Sequence, residues 1–315
     1  MPRYMTLAVL LTTLALIVAA CGGGDESDSS ANGDGDGSPS EIVAQVISSD
    51  LRVGPNRLSI SLFDSEANLI LGAQVTVRFL KEENPDEEVL KAELPAQYVA
   101  LESSFVHEHD DGDRHTHAGN EIGLYIVNLE LDSPGIWAAD VEAVIDGQEH
   151  NPERAHFDVL VDSAVPNVGD LAIRSEQLTL RDVEDIAEID TANPPRPEMH
   201  DMTIAEAVDT GKPVVVAFST PGFCVSQICG PVLDEVVVPL LERYGDRAVF
   251  IHVEPYVLED ARAGRGLTPV QTLLDWSLLT EPWVFVIDSD GRIAGRFEAI
   301  VTVEEVEAVL EQVLG

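Results

Sequence analysis

The sequence predicts two folded domains of different class, an all-β domain followed by an α/β domain. Residues 41–163 alternate apolar and polar side chains with a period of two, which is the pattern of strands that have one buried face. Residues 201–315 instead alternate uninterrupted apolar runs with amphipathic segments, which is typical of strands buried on both faces between helices. The length that follows the N-terminal segment also exceeds one typical domain.

The N-terminal segment has the composition of an export signal. Residues 1–20 carry one cation, Arg3, and an apolar run at 7–18 that is too short to cross a bilayer as a helix. The run ends in Val-Ala-Ala-Cys at residues 18–21. This motif resembles a bacterial lipobox, which implies that residues 1–20 are cleaved and that Cys21 is diacylated and anchors the protein to the membrane. The alternative is an ordinary export signal that happens to contain a cysteine.

Residues 21–40 are predicted to be a disordered tether. The stretch after Cys21 reads GGGDESDSSANGDGDGSPS and has no apolar residue larger than Ala31. Such a segment cannot bury enough apolar surface to offset the entropy of ordering. We therefore expect an exported cell-membrane lipoprotein that faces the extracytoplasmic side, with its folded part held away from the bilayer.

The charge balance excludes two classes of partner. The formal net charge is -39, and lysine occurs only three times. Nucleic acids and anionic lipid surfaces are bound by basic surfaces, so we expect no nucleic-acid partner and no electrostatic adhesion to lipid. If Cys21 is lipidated, Cys224 and Cys229 are the remaining cysteines, in an exported chain where disulfides persist.

The first domain, residues 41–163, is predicted to be a β-sandwich. Strict alternation is clearest at 58–62 and 75–79. Further strands are predicted at 42–48, 87–93, 96–101, 122–131, 136–145 and 155–161. Seven or eight short strands separated by turn signals favour an immunoglobulin-like sandwich. Residues 123–137, GLYIVNLELDSPGIW, also resemble a strand pair of small periplasmic sandwich domains of the YtkA-like group.

A histidine-rich segment of this domain is a candidate metal site. Four imidazoles lie among carboxylates within one short segment, and neutral imidazole is the commonest ligand for copper and zinc; the four are His107, His109, His115 and His117. The other interpretation is a solvated acidic loop that binds divalent ions only loosely, because the assignment rests on composition.

The length of the intervening loop decides whether these histidines converge. A two-residue loop at Asp111-Gly112 would place the two histidine pairs on opposite faces of a hairpin. A three-residue loop that also includes Asp113 would pair His109 with His115 and place all four imidazoles on one face. Both alternatives are open at the level of the sequence.

Residues 164–200 are predicted to be an interdomain strap. They contain Pro166, Pro194, Pro195 and Pro197 among scattered charges, and one short helix is predicted near 180–188.

The second domain, residues 201–315, reads as alternating helices and strands. Thr203 with Glu206 forms a capping box that opens a helix ending at Gly211. Next come strands at 214–218, 248–253, 283–288 and up to 297, an amphipathic helix to 244, a helix near 269–276, and a last helix at 303–314.

Residues 201–315 resemble a thioredoxin-fold domain. The resemblance rests on the buried strand that leads to Phe223-Cys224, a helix that contains Pro231, and Glu281-Pro282-Trp283 before the third strand. It implies that Cys224 is a nucleophile at the positive end of a helix and that Cys229 resolves the mixed disulfide. It further implies that Pro282 is a cis-proline beside the reactive sulfur, and that Phe223 and Trp283 shape a substrate groove.

The spacing of the cysteines departs from that family, in which two residues separate them. Val225-Ser-Gln-Ile228 intervene here. Positions five apart on a regular helix have Cα atoms about 8.6 Å apart, and a disulfide needs less than about 7 Å. The pair can therefore form a disulfide only if Cys224 lies in the loop before the helix or if the first turn unwinds. The acid that some family members carry in the first buried strand is absent, so proton transfer to Cys229 would fall to water or Glu254.

The sequence leaves several functions open. The leading prediction is an envelope-anchored thiol–disulfide oxidoreductase that needs no cofactor and acts on extracytoplasmic protein thiols or a redox partner protein. Thr220-Pro-Gly222 is similar to the approach sequence of atypical two-cysteine peroxiredoxins, although Phe223 intervenes before the cysteine. A metal-binding or delivery protein for copper or zinc is the competing class. One form of that class is a copper chaperone of the Sco type, which binds copper through two cysteines and a distant histidine. His252 is the candidate for that histidine, but it lies in a predicted strand, where a half-buried structural histidine is the simpler interpretation. The cysteines could also be two buried thiols without exchange chemistry.

Overall fold

A computed structural model describes residues 42–84, 87–109 and 112–315 of the chain. The predicted signal peptide and tether, including Cys21, lie outside the described residues. Those that are described belong to one compact unit. None of their helices is long and apolar enough to cross a membrane.

The first part of the chain forms eight strands. They are β1 Val43–Val46, β2 Gly54–Phe63, β3 Gln74–Asn84, β4 Glu87–Glu108, β5 Arg114–Leu131, β6 Gly135–Ile145, β7 Gln148–His150 and β8 Ala155–Val159. They hydrogen-bond in the order β1-β2-β5-β4-β3-β6-β7, and β8 also pairs with β6. Isolated parallel bridges join Val43 to Glu153 and Arg52 to Leu160, so the two ends of the sheet approach each other and the sheet is nearly closed.

The core of this sheet is built from the apolar positions of the alternating pattern. Leu58, Ile60 and Leu62 of β2 are completely buried and pack with Phe79 of β3 and Trp137 of β6. The long strand β4 links the two halves of the sheet, because residues 87–96 pair with β3 and residues 97–108 pair with β5. The burial of these large side chains is the main favourable contribution to folding here.

The rest of the chain surrounds a smaller sheet. Its elements are α1 Ile204–Asp209, β9 Val214–Phe218, α2 Cys229–Pro231, α3 Val238–Tyr244, β10 Val249–Val253, α4 Leu258–Arg262, α5 Gln271–Asp275, β11 Trp283–Ile287, β12 Ile293–Glu298 and α6 Val303–Leu314. The strand order is β10-β9-β11-β12. β9 and β10 run parallel, and β11 is antiparallel to both of its neighbours. Every residue of β9 and β11 is buried, as their uninterrupted apolar runs predicted.

Charged side chains join the two sheets. Arg57 of β2 forms a salt bridge with Glu305 at 2.7 Å and donates to the carbonyl oxygen of Ile300 at 2.8 Å. Arg296 of β12 pairs with Asp50 at 2.6 Å, and both of these side chains are largely buried. Paired and shielded in this way, the charges avoid the cost of isolated burial and fix how the sheets meet.

The predicted fold class is wrong. Strands contain 42% of the residues and helices only 19%, and the largest unit is a single nearly closed sheet, so the structure does not match an immunoglobulin-like sandwich followed by an α/β thioredoxin-like domain. The strand content is high because segments predicted as separate short strands merge. Residues 87–93 and 96–101, for example, both belong to the 22-residue β4.

Several helices are shorter than the sequence predicts. The helix predicted at 180–188 is one 3-10 turn at Ile186–Glu188. The amphipathic helix ending at Tyr244 starts only at Cys229, and it is π-helical over Val232–Val237. The capping box predicted at Thr203 and Glu206 is present at the start of α1, and α6 also begins with a capping box, at Thr302 and Glu305.

Candidate functional site

The two cysteines follow the central strand of the smaller sheet. β9 is completely buried, and the backbone N–H of Ser219, just beyond it, donates to the Val253 carbonyl at 3.1 Å. The chain then leaves the sheet through turns at 221–227 and enters α2 at Cys229. The segment 221–229 is called the dithiol loop below.

Cys224 lies in this loop and not in the helix. The turn closes through a hydrogen bond from the Gln227 N–H to the Cys224 carbonyl, and Gln227 has a left-handed φ of 59°. The chain thereby folds back, and the backbone N–H of Cys229 donates to Cys224 Sγ at 3.3 Å. Cys224 therefore precedes the helix, which is the first of the two conditions under which the pair could form a disulfide, and both thiols are free in this structure.

The two thiols have opposite electrostatic environments. A hydrogen bond from the Cys229 thiol lowers the pKa of Cys224 to about 6, with further help from Ser226, whose hydroxyl lies 3.3 Å from Sγ, and despite the opposing effect of burial. Burial raises the pKa of Cys229, and the neighbouring Cys224 sulfur raises it further. At neutral pH the pair is therefore one thiolate beside one thiol.

The large sheet covers the dithiol loop. Cys224 is 9% exposed and Cys229 is completely buried, and both pack against apolar side chains that include Val99 of β4 and Leu124 of β5. β4 also donates two backbone hydrogen bonds to the loop, from Ser104 to the Gln227 carbonyl at 3.2 Å and from Val106 to the Pro221 carbonyl at 3.3 Å. The large sheet therefore shields the Cys224 sulfur from solvent.

The residues predicted to form a groove separate into different environments. Phe223 lines a cleft of about 450 Å³ together with His107, His109 and Arg262. Trp283 is 1% exposed. Its indole N–H donates to Thr280 Oγ1 at 3.1 Å, and its ring stacks on Phe285, so the side chain belongs to the core.

Pro282 is joined to Glu281 by a cis peptide bond. Its carbonyl oxygen accepts a hydrogen bond from the N–H of Ala299 at 2.9 Å, and Ala299 packs in the same apolar cluster as both cysteines. The carboxylate of Glu281 contributes to the raised pKa of Cys229, so this segment also lies near the buried thiol.

Behind the dithiol loop lies a buried carboxyl group, Glu254. Its side chain accepts hydrogen bonds from the backbone N–H of Thr191 at 2.7 Å and from the Thr191 hydroxyl. The same hydroxyl accepts from the N–H of Gly222 at 2.9 Å, which connects Glu254 to the dithiol loop. Burial raises the pKa of Glu254.

A second buried group, Asp190 with His200 and His252, could hold a metal ion. One ligand atom from each of the three side chains lies within 4.8 Å of the others, and all three residues are buried. Burial alone would raise the pKa of Asp190, but a hydrogen bond from His200 and the charge of the two imidazoles hold it below its usual range. Sequence reasoning missed this group. It placed Asp190 and His200 in a strap and interpreted His252 as half-buried, whereas His252 is 1% exposed.

The four histidines of the predicted metal loop lie on one face of the β4–β5 hairpin. His107 pairs with His115 across the hairpin. The ring centroids are 4.6 Å apart for His107 and His109, 5.1 Å for His109 and His115, and 6.2 Å for His107 and His117. All four side chains are exposed. The loop is longer than either predicted length, since the paired strands end at Glu108 and Arg114, but it brings the histidines to a common face.

Comparisons with known proteins add little to this description. Neither a protein family nor a curated protein matches the chain. Among solved structures, the reeler domain of human F-spondin, fragment 1, is similar at 11% identity over 39% of this chain and 91% of that one, with a TM-score of 0.21. A similarity of that size supports no conclusion about fold or function.

Proposed function

We propose that this protein is a thiol–disulfide oxidoreductase of the cell envelope that acts on extracytoplasmic thiols. The observation that carries the proposal is the asymmetric pair, in which the Cys229 N–H donates to Cys224 Sγ at 3.3 Å and the Cys224 pKa is about 6. A thiolate is the attacking species in exchange, and a pKa near ambient pH combines a large thiolate fraction with good nucleophilicity.

The proposed reaction has two steps. Cys224 Sγ attacks one sulfur of a partner disulfide, the partner S–S bond breaks, and one partner sulfur leaves as a thiolate that takes a proton. Cys229 then loses its proton and attacks Cys224 Sγ, which forms the Cys224–Cys229 disulfide and releases the second partner sulfur. The partner gains two electrons and two protons, while the protein loses two electrons and the proton of Cys229, and the other proton comes from solvent. The reverse sequence oxidises a partner dithiol.

Trapping the mixed disulfide tests this proposal. The chain with Cys21→Ala keeps Cys224 and Cys229 as its only cysteines. In that background Cys229→Ser should accumulate a mixed disulfide with a disulfide-bonded peptide, because the resolving thiol is missing, whereas Cys224→Ser should accumulate none. Equal trapping by both variants, or by neither, contradicts the assigned roles.

Lipidation of Cys21 is part of the proposal, because exchange at the envelope needs the protein to be held there. Cells that express the parent chain should retain it in the membrane fraction, and Cys21→Ala should release it. Retention of the variant contradicts the anchor without bearing on the roles of Cys224 and Cys229.

A second candidate function is copper or zinc binding by the histidine hairpin, which is supported by the common face of its four imidazoles. In the Cys21→Ala background, His107→Ala with His115→Ala should weaken binding of Cu(II) or Zn(II). His156→Ala, which removes an exposed histidine of β8, is the matched control. Metal binding that is unaffected by the hairpin substitutions excludes the hairpin as the ligand set.

A further inference from the structure

The group formed by Asp190, His200 and His252 lies in the interior and includes neither a cysteine nor a histidine of the hairpin. Asp190 is completely buried, and His252 and His200 are 1% and 3% exposed. Buried charges and imidazoles lower stability unless partners of opposite charge or hydrogen bonds compensate them, so the charge within this buried cluster must be balanced.

The spacing of the ligand atoms fits one bound cation. His200 Nε2 lies 3.2 Å from Asp190 Oδ2, and His252 Nδ1 lies 3.7 Å from Asp190 Oδ1. The second distance is too long for a hydrogen bond. Two nitrogen or oxygen ligands bound to the same zinc-sized ion at a tetrahedral angle lie about 3.4 Å apart. Each imidazole nitrogen lies near that distance from one oxygen of the Asp190 carboxylate, although the His200 contact also has the length of a hydrogen bond, and one ligand atom from each side chain lies within 4.8 Å of the others.

The tautomer of His252 supports metal binding more directly. His252 Nε2 lies 2.9 Å from the backbone carbonyl oxygen of Ser219, which can only accept, so Nε2 carries the proton. In the neutral imidazole Nδ1 then holds a lone pair, and this buried atom has no hydrogen-bond partner among the described residues. It faces a carboxylate oxygen at 3.7 Å, and a cation bound between the two atoms would pair with both. Fixing the metal-binding nitrogen through a hydrogen bond on the other nitrogen is the usual arrangement around metal-bound imidazoles.

The carboxylate is held in the same way. The backbone N–H of Ala192 donates to Asp190 Oδ1 at 2.7 Å, and the N–H of Arg196 donates to Asp190 Oδ2 at 2.8 Å. Each backbone bond uses one of the two lone pairs of its oxygen, which leaves one on each oxygen for an imidazole or for a shared ion.

A route to the cluster also exists. His200 and His252 line a cavity of about 880 Å³ whose wall carries several carboxyl groups, contributed by Glu176, Asp182, Glu188, Glu254 and Glu259. An acidic cavity raises the local concentration of cations. It also leaves space beside the cluster for a water molecule as a further ligand.

From these observations we infer that Asp190, His200 and His252 bind one divalent transition-metal ion of the zinc class through a carboxylate oxygen, Nε2 and Nδ1. Two imidazoles and one carboxylate are a common donor set for such ions, and three protein ligands leave a coordination position open towards the cavity. The inference is independent of the proposed thiol chemistry and of the hairpin.

The test uses the full chain with Cys21→Ala and with the four hairpin histidines replaced by alanine. Metal-stripped protein is titrated with zinc chloride against a chromophoric chelator. The expected result is one bound zinc per chain, with affinity reduced at least tenfold by His200→Gln and by Asp190→Asn and unchanged by the control His156→Gln. Absence of zinc binding in the background protein, or equal affinity in all variants, overturns the inference.

Cobalt spectroscopy covers the case in which a core substitution prevents folding. Co(II) is added to the same background protein with its Asp190, His200 and His252 intact. The inference expects visible d–d absorption of a bound ion without a thiolate-to-cobalt charge-transfer band. A strong thiolate band would place the ion on Cys224 and Cys229 and contradict the inference, and so would the absence of any bound-ion spectrum.

Discussion

The low pKa of Cys224 gives the sharpest prediction. The pKa is about 6, against an ordinary value of 9.0. At pH 7 about nine-tenths of Cys224 would then be thiolate, compared with about one-hundredth for an ordinary thiol, so its thiolate population should be raised by roughly two orders of magnitude. The rate of alkylation by iodoacetamide in reduced Cys21→Ala protein should therefore follow a titration curve with its midpoint near pH 6.

Two substitutions test the cause of that shift. The hydrogen bond from the Cys229 thiol is the largest stabilising contribution to the thiolate, and the hydrogen bond with Ser226 is smaller. Cys229→Ala should therefore move the alkylation midpoint upward by more than Ser226→Ala does. A midpoint near 9 in the parent protein, or a larger effect of Ser226→Ala, would refute the electrostatic argument.

The same shift predicts how stability depends on pH. The folded-state pKa of Cys224 lies below the unfolded value, so the thiolate contributes stability that is complete above about pH 9 and is lost as the pH falls through about 6. The stability of the reduced protein relative to Cys224→Ser should therefore rise by roughly 1.4 kcal/mol for each pH unit between those limits. Denaturant unfolding at several pH values measures this difference, and a difference independent of pH contradicts it.

Three further outcomes are expected. Leu124 belongs to the apolar cluster that covers the dithiol loop, so Leu124→Ser should raise the rate at which Cys224 is alkylated without moving the pH midpoint of that reaction. Leu90→Ser, at an exposed position, should change neither the rate nor the midpoint. An unchanged rate with Leu124→Ser would mean that the sheet does not limit access to Cys224. Breaking the buried Arg296–Asp50 pair with Asp50→Ala should lower the unfolding free energy by about 3–5 kcal/mol, because it leaves a shielded guanidinium unpaired, and a loss below 1 kcal/mol would contradict that reasoning. Reduced protein should consume hydrogen peroxide no faster than an unstructured thiol peptide at matched thiolate concentration, and faster turnover would favour the peroxidase alternative over disulfide exchange.

Alternating sequence patterns located the strands, but they did not show how far the strands extend or how they assemble. The alternation at 58–62 correctly predicted the inward side chains Leu58, Ile60 and Leu62. It also predicted a solvent-facing side, yet Ser59 and Ser61 are buried too. The reason is that burial of the second face depends on segments far along the chain, which a local period cannot report.

The helix before Tyr244 could not be bounded from the sequence. The amphipathic pattern correctly indicates a helix, but Gln227 adopts a left-handed backbone conformation, and residue propensities do not predict that conformation for glutamine. The turn that results moves the helix start from Cys224 to Cys229. Helix geometry gave two conditions for a Cys224–Cys229 disulfide, and the observed position of Cys224 before the helix meets one of them.

The buried histidine cluster was beyond the reach of sequence reasoning for a different reason. Asp190 and His200 lie in irregular chain with no period, and His252 lies on β10 far downstream. Only the tertiary fold brings them together. The exposed hairpin histidines lie within eleven residues of one another in the sequence, so local composition alone could identify them as candidate metal ligands.

A redox titration of the Cys21→Ala protein tests the central proposal most directly. Free thiols are counted by mass-tagging across a series of glutathione buffers, with Cys229→Ser as the comparison. The proposal predicts a reversible two-electron transition between about -120 and -300 mV, the range of exchange catalysts, that disappears in the variant. Thiols that stay free at every potential, or a transition that persists without Cys229, would contradict it.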